Sequence, residues 1–275
     1  MSLFWGSKKV ILKKDNSYLR FQVNDFLPGI YQRVDWIKAE DGVGAYIDLG
    51  FAFDTKATIS MSQYISDTGT NAYPFGAAEN NGTIRCCLSS PYVGNGTNTS
   101  TFYGSNGNSY ISSSINVVTG ANKMEMVIEE GNLTLTNLST DDVYKNTQQA
   151  AYTMTNNLYL FAQNYNGTAR FGGVRKIGCF KYRDKDNKLI CNLIPCYRKS
   201  DGVVGMYNTV NGAFLTNVGA GEFVAGNEAG NYIGASFITL DGQVLRDSNN
   251  RVLTARNTES VGINYDITYL KLQWG

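Results

Sequence analysis

The sequence predicts an all-β chain folded as an antiparallel sandwich, and three observations carry that expectation. Apolar and polar residues alternate over short segments, turn-forming residues separate the segments, and no long stretch has a helical period. Ala57, Ile59 and Met61 alternate with Thr58, Ser60 and Ser62. Met124, Met126 and Ile128 alternate with Lys123, Glu125 and Val127; beyond the turn Glu130-Gly131-Asn132 the pattern resumes with Leu133 and Leu135 against Thr134 and Thr136. Many short strands separated by turn signals are the pattern of a sandwich or jelly roll.

Taken in order, residues 1–25 read as a hairpin. Lys9 to Lys13 and Tyr18 to Val23 flank Lys14-Asp15-Asn16-Ser17, and Leu19, Phe21 and Val23 alternate with Tyr18, Arg20 and Gln22. An isolated hairpin is marginal in water, so this one is expected to pack on the main domain or on another chain. Lys8, Lys9, Lys13 and Lys14 form a basic cluster, the usual dressing of a solvated strand edge. The main domain opens near Phe26-Leu27-Pro28-Gly29 with the segments Tyr31 to Ile37 and Ala45 to Phe51.

Residues 92–113 are the longest loop-like stretch, rich in Gly, Asn, Ser and Thr with Tyr92, Phe102, Tyr103 and Tyr110 interleaved. Long loops on a rigid sandwich often carry binding, and tyrosine with asparagine suits sugars or protein surfaces. These four aromatics are the candidate ligand-binding residues. Asp141 to Gln149 is the one helical candidate. Further on, Leu158 and Leu160 alternate with Tyr159 and Phe161, and Asp184 to Asn187 joins residues 173–183 and 188–194 as a hairpin.

Cys191 to Gly226 holds four short apolar-aromatic segments, LIPCYR, VVGMY, AFLT and EFV, separated by Ser200-Asp201-Gly202, Asn208 to Gly212 and Gly219-Ala220-Gly221. Asp-Gly and Asn-Gly allow the positive φ that tight hairpins need, so successive segments are expected to pair antiparallel. Beyond Gly226, Phe237 to Leu240 precedes two similar turn-plus-strand units, Asp241-Gly242-Gln243-Val244-Leu245 and Asn249-Asn250-Arg251-Val252-Leu253, and 261–274 reads as a further strand pair. This tail is too small for a core of its own and is expected to add to a sheet or dock on a neighbouring subunit.

Composition excludes several classes of function. The 24 basic and 23 acidic side chains nearly cancel, which leaves no electrostatic case for nucleic acid or an anionic membrane. The chain has no histidine, so it can hold neither a Ser-His-Asp nor a Cys-His arrangement, nor a His-ligated zinc. Cys86, Cys87, Cys179, Cys191 and Cys196 are odd in number and lack a C-x-x-C pair; they read as small buried hydrophobes rather than a disulfide framework or zinc ribbon. The first residues lack a signal peptide's apolar core, and no apolar run approaches the ~20 residues that span a bilayer. Folding in a reducing cytoplasm is expected, and the Asn-x-Ser/Thr sequons are by-products of Asn-rich loops.

Two sets of motifs resemble one family. Ile194-Pro195-Cys196-Tyr197-Arg198-Lys199-Ser200-Asp201-Gly202, Val204-Gly205-Met206-Tyr207-Asn208 and Asn211-Gly212-Ala213-Phe214-Leu215-Thr216-Asn217 resemble the closing strands of concanavalin A-like (laminin-G-like) jelly-roll domains in bacteriophage and prophage structural proteins. Met206, Leu215 and Asn208 stand where that pattern usually has Leu, Tyr and Asp. Tyr31 to Ile37 and Tyr46-Ile47-Asp48-Leu49-Gly50 resemble the opening of the same domain, with Asp35-Trp36 and Leu49 as departures.

The resemblance implies a jelly roll over 26–226 with short β extensions at 1–25 and 227–275. It further implies a structural protein of the virion, in a tail, fibre, collar or capsid-associated appendage, made in the host bacterial cytoplasm. Its expected partners are other virion proteins and copies of itself, a trimer being favoured, joined through the extensions. A receptor-recognition role on a host-surface glycan is the alternative; a polysaccharide-degrading glycoside hydrolase is the third reading. For hydrolysis two acids must flank the scissile bond. Glu125 and Glu129 share strand parity, but the Glu-x-Asp-x-x-Glu signature of laminarinase-like jelly rolls is missing, and they read as solvent-facing strand residues. The chain is therefore expected to be non-enzymatic, without catalytic residues, cofactor or metal.

Overall fold

The computed structural model describes residues 27–40, 44–54, 56–65, 72–79, 82–90, 99–106, 110–129, 132–147, 153–170, 172 and 176–229, with strands at 11–14, 17–23, 235–239 and 254–255. The chain divides into two compact units, Leu27–Gly230 and, from its two ends, Met1–Phe26 with Asn231–Gly275. Among the described residues there is no α-helix.

The larger unit is an antiparallel sandwich. In one sheet the order is β10 (Tyr110–Asn116), β9 (Thr99–Asn106), β8 (Ile84–Ser90), β7 (Ala72–Glu79), β14 (Asn157–Leu160), β5 (Ile47–Ala52). The hairpin of β15 (Gln163–Tyr165) and β16 (Thr168–Arg170) joins β7 by a short parallel contact. The second sheet runs β13 (Asp142–Asn146), β12 (Asn132–Asn137), β11 (Gly120–Glu129), β6 (Ala57–Ile65), β17 (Lys176–Arg183), β18 (Leu189–Arg198), β19 (Val204–Asn208), β20 (Phe214–Thr216). To it are added β3 (Tyr31–Arg33) on β18, β4 (Ile37–Ala39) on β17 and β21 (Phe223–Ala225) on β4.

Period-2 patterning makes this core. On β6 every second residue from Ala57 to Ile65 is buried, and β11 buries Met124, Met126 and Ile128 opposite Met61, Ile59 and Ala57. The facing sheet contributes Phe75, Leu88, Phe102 and Leu160 to the same apolar cluster. Phe75 meets Phe180 edge-on at 5.8 Å, the arrangement that aromatic quadrupoles favour.

The smaller unit is a four-stranded antiparallel sheet in the order β1 (Ile11–Lys14), β2 (Ser17–Val23), β22 (Ala235–Thr239), β23 (Thr254–Ala255). The terminal hairpin forms as expected, Lys14 opposite Ser17. Its partner is the other end of the chain: Leu19 to Val23 pair with Thr239 to Ala235. The turn-plus-strand units at 241–245 and 249–253 and the strand pair at 261–274 lie outside the described residues.

Four local expectations are corrected. Much of the 92–113 loop is the strand pair β9–β10, joined in unbroken register from Thr99↔Asn116 to Ser105↔Tyr110. Alternation there is hidden because serines and glycine stand at inward positions: Ser100 is buried and accepts a hydrogen bond from Gln63 Nε2 across the sandwich at 3.0 Å. The helical candidate at 141–149 is instead a turn followed by β13, where β-branched Val143 and Tyr144 pair with Thr136 and Leu135. At 158–161 alternation stops at Phe161, which is fully buried with φ 68°. Finally, β21 does not pair with β20 but with β4. The reason is Asn217, whose amide bridges the Gly219 and Gly221 carbonyls and so curls the chain away from β20.

Candidate functional site

Of the four aromatics chosen from the sequence, the side chains of Phe102 and Tyr103 lie among the described residues. Phe102 points inward and is fully buried, so it packs the core and is removed as a ligand contact. Tyr103, the next residue on β9, points outward and is half-buried. Tyr110, on β10, pairs in register with Ser105 on β9, and Tyr92 lies outside the described residues.

What Tyr103 meets is a tyrosine that sequence reading did not select. A register shift in β7 between Ala72 and Phe75 turns Tyr73 to the outer face, where its ring lies 6.3 Å from that of Tyr103 at 41°. A bulge re-aims side chains in this way, and alternation alone cannot reveal one. In the neighbouring row Thr101 and Ser114 face each other across β9 and β10 with hydroxyls 2.8 Å apart. Ring faces next to hydroxyls that donate and accept form a surface for a polyhydroxylated ligand.

The same outer face continues along one cross-strand row: Asp48 opposite Tyr159, Tyr159 opposite Gly76, Gly76 opposite Cys87, Cys87 opposite Tyr103. Glycine is required within it, because a Cβ on Gly76 would lie 2.3 Å from that of Cys87. Gln163 Nε2 donates to Cys87 Sγ at 3.3 Å, and burial pushes the Cys87 thiol up to about 12. That thiol is inert packing.

At the β5 end the row is built by Asp48. Its Oδ1 accepts from the Gly50 N–H at 2.8 Å, closing an Asx turn at a glycine with φ 74°. Asn157 Nδ2 donates to both of its carboxylate oxygens, at 3.0 and 3.3 Å, across the bulge between β5 and β14. Tyr46 stacks on Tyr159 at 4.6 Å. Burial first, and the Asp48 carboxylate second, raise the Tyr159 phenol above the usual tyrosine range. Tyr46 is held from outside as well: Asn217 Oδ1 accepts from its N–H at 3.0 Å, and its carbonyl accepts from Val218 at 2.9 Å. The family-like motifs 46–50 and 211–217 thus meet in space.

Beside them is a depression of about 400 Å³ lined by Asp201, Val204, Thr216, Asn217, Glu222 and Phe223. Asp201 is already engaged by Arg198, Nη2 to Oδ2 2.6 Å. That guanidinium, and then the Val203 N–H, hold its carboxyl below the usual carboxylate range. Glu125 points outward from β11 opposite Ser60, which donates to it at 3.4 Å, and Glu129 is exposed at the end of the same strand. Among the described residues no three His, Cys, Asp or Glu side chains gather in a way that could hold a metal ion.

No known protein family matches the chain, and no curated protein matches it. Solved structures do. Domains LG4-5 of the mouse laminin alpha1 chain are 11% identical with a TM-score of 0.43, over 57% of this chain and 43% of that one. Tailspike protein 2 of the Escherichia coli O157:H7 bacteriophage CAB120 is 11% identical with a TM-score of 0.41, over 65% of this chain and 31% of that one. A putative carbohydrate binding protein from Bacteroides ovatus is 11% identical with a TM-score of 0.40, over 78% of this chain and 71% of that one. The likeness is one of fold.

Proposed function

We propose that this chain is a non-enzymatic structural protein of a bacteriophage virion, part of a tail, fibre, collar or capsid-associated appendage, made in the host cytoplasm and assembled through its terminal strands. The observation that carries the reading is the division of labour along the chain. Residues 27–230 form one compact unit whose sandwich contains both family-like motif sets, while strands from the two ends leave it and join in a sheet of their own, β2 on β22. A two-stranded hairpin alone is marginal, so pairing the ends makes a module that can be offered to neighbouring subunits without opening the sandwich. Gold-labelled antibodies against the full chain, applied to purified particles, should mark one position on the virion. Particles that lack the chain by mass spectrometry would overturn the assignment. Oligomerisation through the ends, a trimer being favoured, is tested by light scattering: the full chain should assemble and a chain lacking residues 1–25 and 227–275 should not.

A second reading, recognition of a host-surface glycan, is favoured by the outward pair Tyr73 and Tyr103 beside the Thr101 and Ser114 hydroxyls. An array of bacterial surface polysaccharides probed with the assembled full chain decides it: binding that falls on Tyr103→Ala supports recognition, and an empty array leaves the structural role alone. The non-enzymatic part is tested separately. Turnover of any of these polysaccharides that disappears in Glu125→Gln or Glu129→Gln would reverse it.

A further inference from the structure

We propose that the depression of about 400 Å³ between β20 and β21 binds one neutral pyranose unit of a glycan. It exists because the sheet splits there. Thr216 ends β20, which pairs with β19, whereas Phe223 begins β21, which pairs with β4. The parting of the two strands opens the depression, and its volume lies in the range of small-ligand pockets.

Its walls are set before any ligand arrives. On one side the Asn217 amide donates to the Gly219 and Gly221 carbonyls and accepts from the Tyr46 and Gly219 N–H groups. The Gly221 N–H donates in turn to the Gly44 carbonyl at 2.9 Å. On the other side Gly202, with φ 72°, closes the turn in which Arg198 clamps Asp201, Nε to Oδ1 at 3.1 Å and Nη2 to Oδ2 at 2.6 Å. Walls fixed in this way spare a ligand the cost of ordering them.

The lining selects the ligand. Among the described residues neither the Thr216 hydroxyl nor the Glu222 carboxylate has a hydrogen-bond or ion-pair partner. Beside them Val204, half-buried, and Phe223, 8% exposed, supply an apolar patch. A fitting ligand donates O–H to a carboxylate, exchanges a hydrogen bond with a hydroxyl and lays C–H groups on apolar side chains. A pyranose does all three, with ring hydroxyls beside a face of C–H groups. Of the two lining carboxylates Asp201 is matched by Arg198 and Glu222 is not, so an acidic sugar would be repelled. A lysine from another protein would meet Glu222 but leave Thr216 and the apolar patch unmatched. The site is on a different sheet from Tyr73 and Tyr103 and does not rest on them.

The test titrates the full chain by calorimetry with the methyl glycosides of glucose, galactose, mannose and N-acetylglucosamine, with methyl glucuronide and methyl galacturonide, and with Nα-acetyl-lysine amide. At least one neutral glycoside should bind, and both uronides should bind more weakly by roughly ten-fold or more. Glu222→Gln, at an exposed position, should weaken the neutral glycoside by roughly ten-fold or more, the loss expected for one charge-assisted hydrogen bond, and should narrow its lead over the uronides. Thr216→Val should weaken it several-fold, and Val210→Ala, exposed elsewhere, should leave it unchanged. The proposal is overturned if none of the four neutral glycosides binds, if a uronide binds as tightly, or if Glu222→Gln has no effect. Affinity that falls with Tyr103→Ala and not with Glu222→Gln overturns it in favour of the tyrosine pair. Binding of the lysine amide where the glycosides fail overturns it in favour of a protein partner.

Discussion

Asn137 Nδ2 donates to Asn122 Oδ1 at 3.1 Å, and both side chains are fully buried at one end of the sandwich. Each amide also bonds to backbone groups. Asn137 donates to the Asn116 carbonyl at 2.8 Å and accepts from Ser139; Asn122 donates to the Val118 carbonyl at 2.7 Å and accepts from the Val118 N–H. Buried polar groups of this kind are tolerated only when paired, and this pair fixes the turn before β11 and the turn after β12.

Asn137→Ala should therefore cost about 1–3 kcal/mol in chemical denaturation, the penalty for orphaned buried partners. Substitution of the exposed neighbour Leu138 by Ala should stay within about 0.5 kcal/mol. Equal effects at the two positions would show that the amide pair contributes nothing particular.

Adjacent residues on β9 should separate stability from recognition. Phe102→Ala removes a fully buried ring and is expected to cost about 3–5 kcal/mol. Tyr103→Ala, on the outer face, should leave the denaturation midpoint nearly unchanged while weakening any glycan binding seen on an array.

Glycines that look alike in sequence should respond differently. A Cβ on Gly219 would stand 1.8 Å from the Gly44 carbonyl oxygen, and one on Gly221 would stand 2.8 Å from the Ala45 nitrogen. Around Gly29 nothing lies within 4 Å. Gly219→Ala should destabilise by about 1–3 kcal/mol through overpacking, whereas Gly29→Ala should move thermal stability by no more than about 0.5 kcal/mol.

Burial pushes the thiols of Cys87, Cys191 and Cys196 from 9.0 up to about 12. In the folded protein they should stay protonated and resist thiol reagents at pH 8, reacting only after unfolding. Above pH 9 the unfolded chain loses these protons while the folded one keeps them. Stability should therefore fall with rising pH between 9 and 12, each thiol adding a slope of about 1.4 kcal/mol per pH unit. Denaturation midpoints that stay level across that window would contradict the burial.

Legibility followed contrast. Where apolar and polar residues alternated sharply, as on β6 and β11, strand and inward face could both be read directly. Where the inward positions were Ser100 and Gly104 the contrast vanished, and a strand looked like a loop. Of the candidate site, Tyr103 was readable by type; its partner Tyr73 was not, because a register shift reverses its face. Phe102 was misassigned for the same want of contrast.

The sequence by itself determined the all-β sandwich, since period-2 burial and turn chemistry act over a few residues and need no distant partner. It also determined the absence of histidine chemistry. Only the tertiary structure decided which strands become neighbours: that β21 leaves β20 for β4, that β2 meets β22, and that Asp48 reaches Asn157. Those choices depend on hydrogen bonds and packing between segments far apart in the chain, and local pattern carries no record of them.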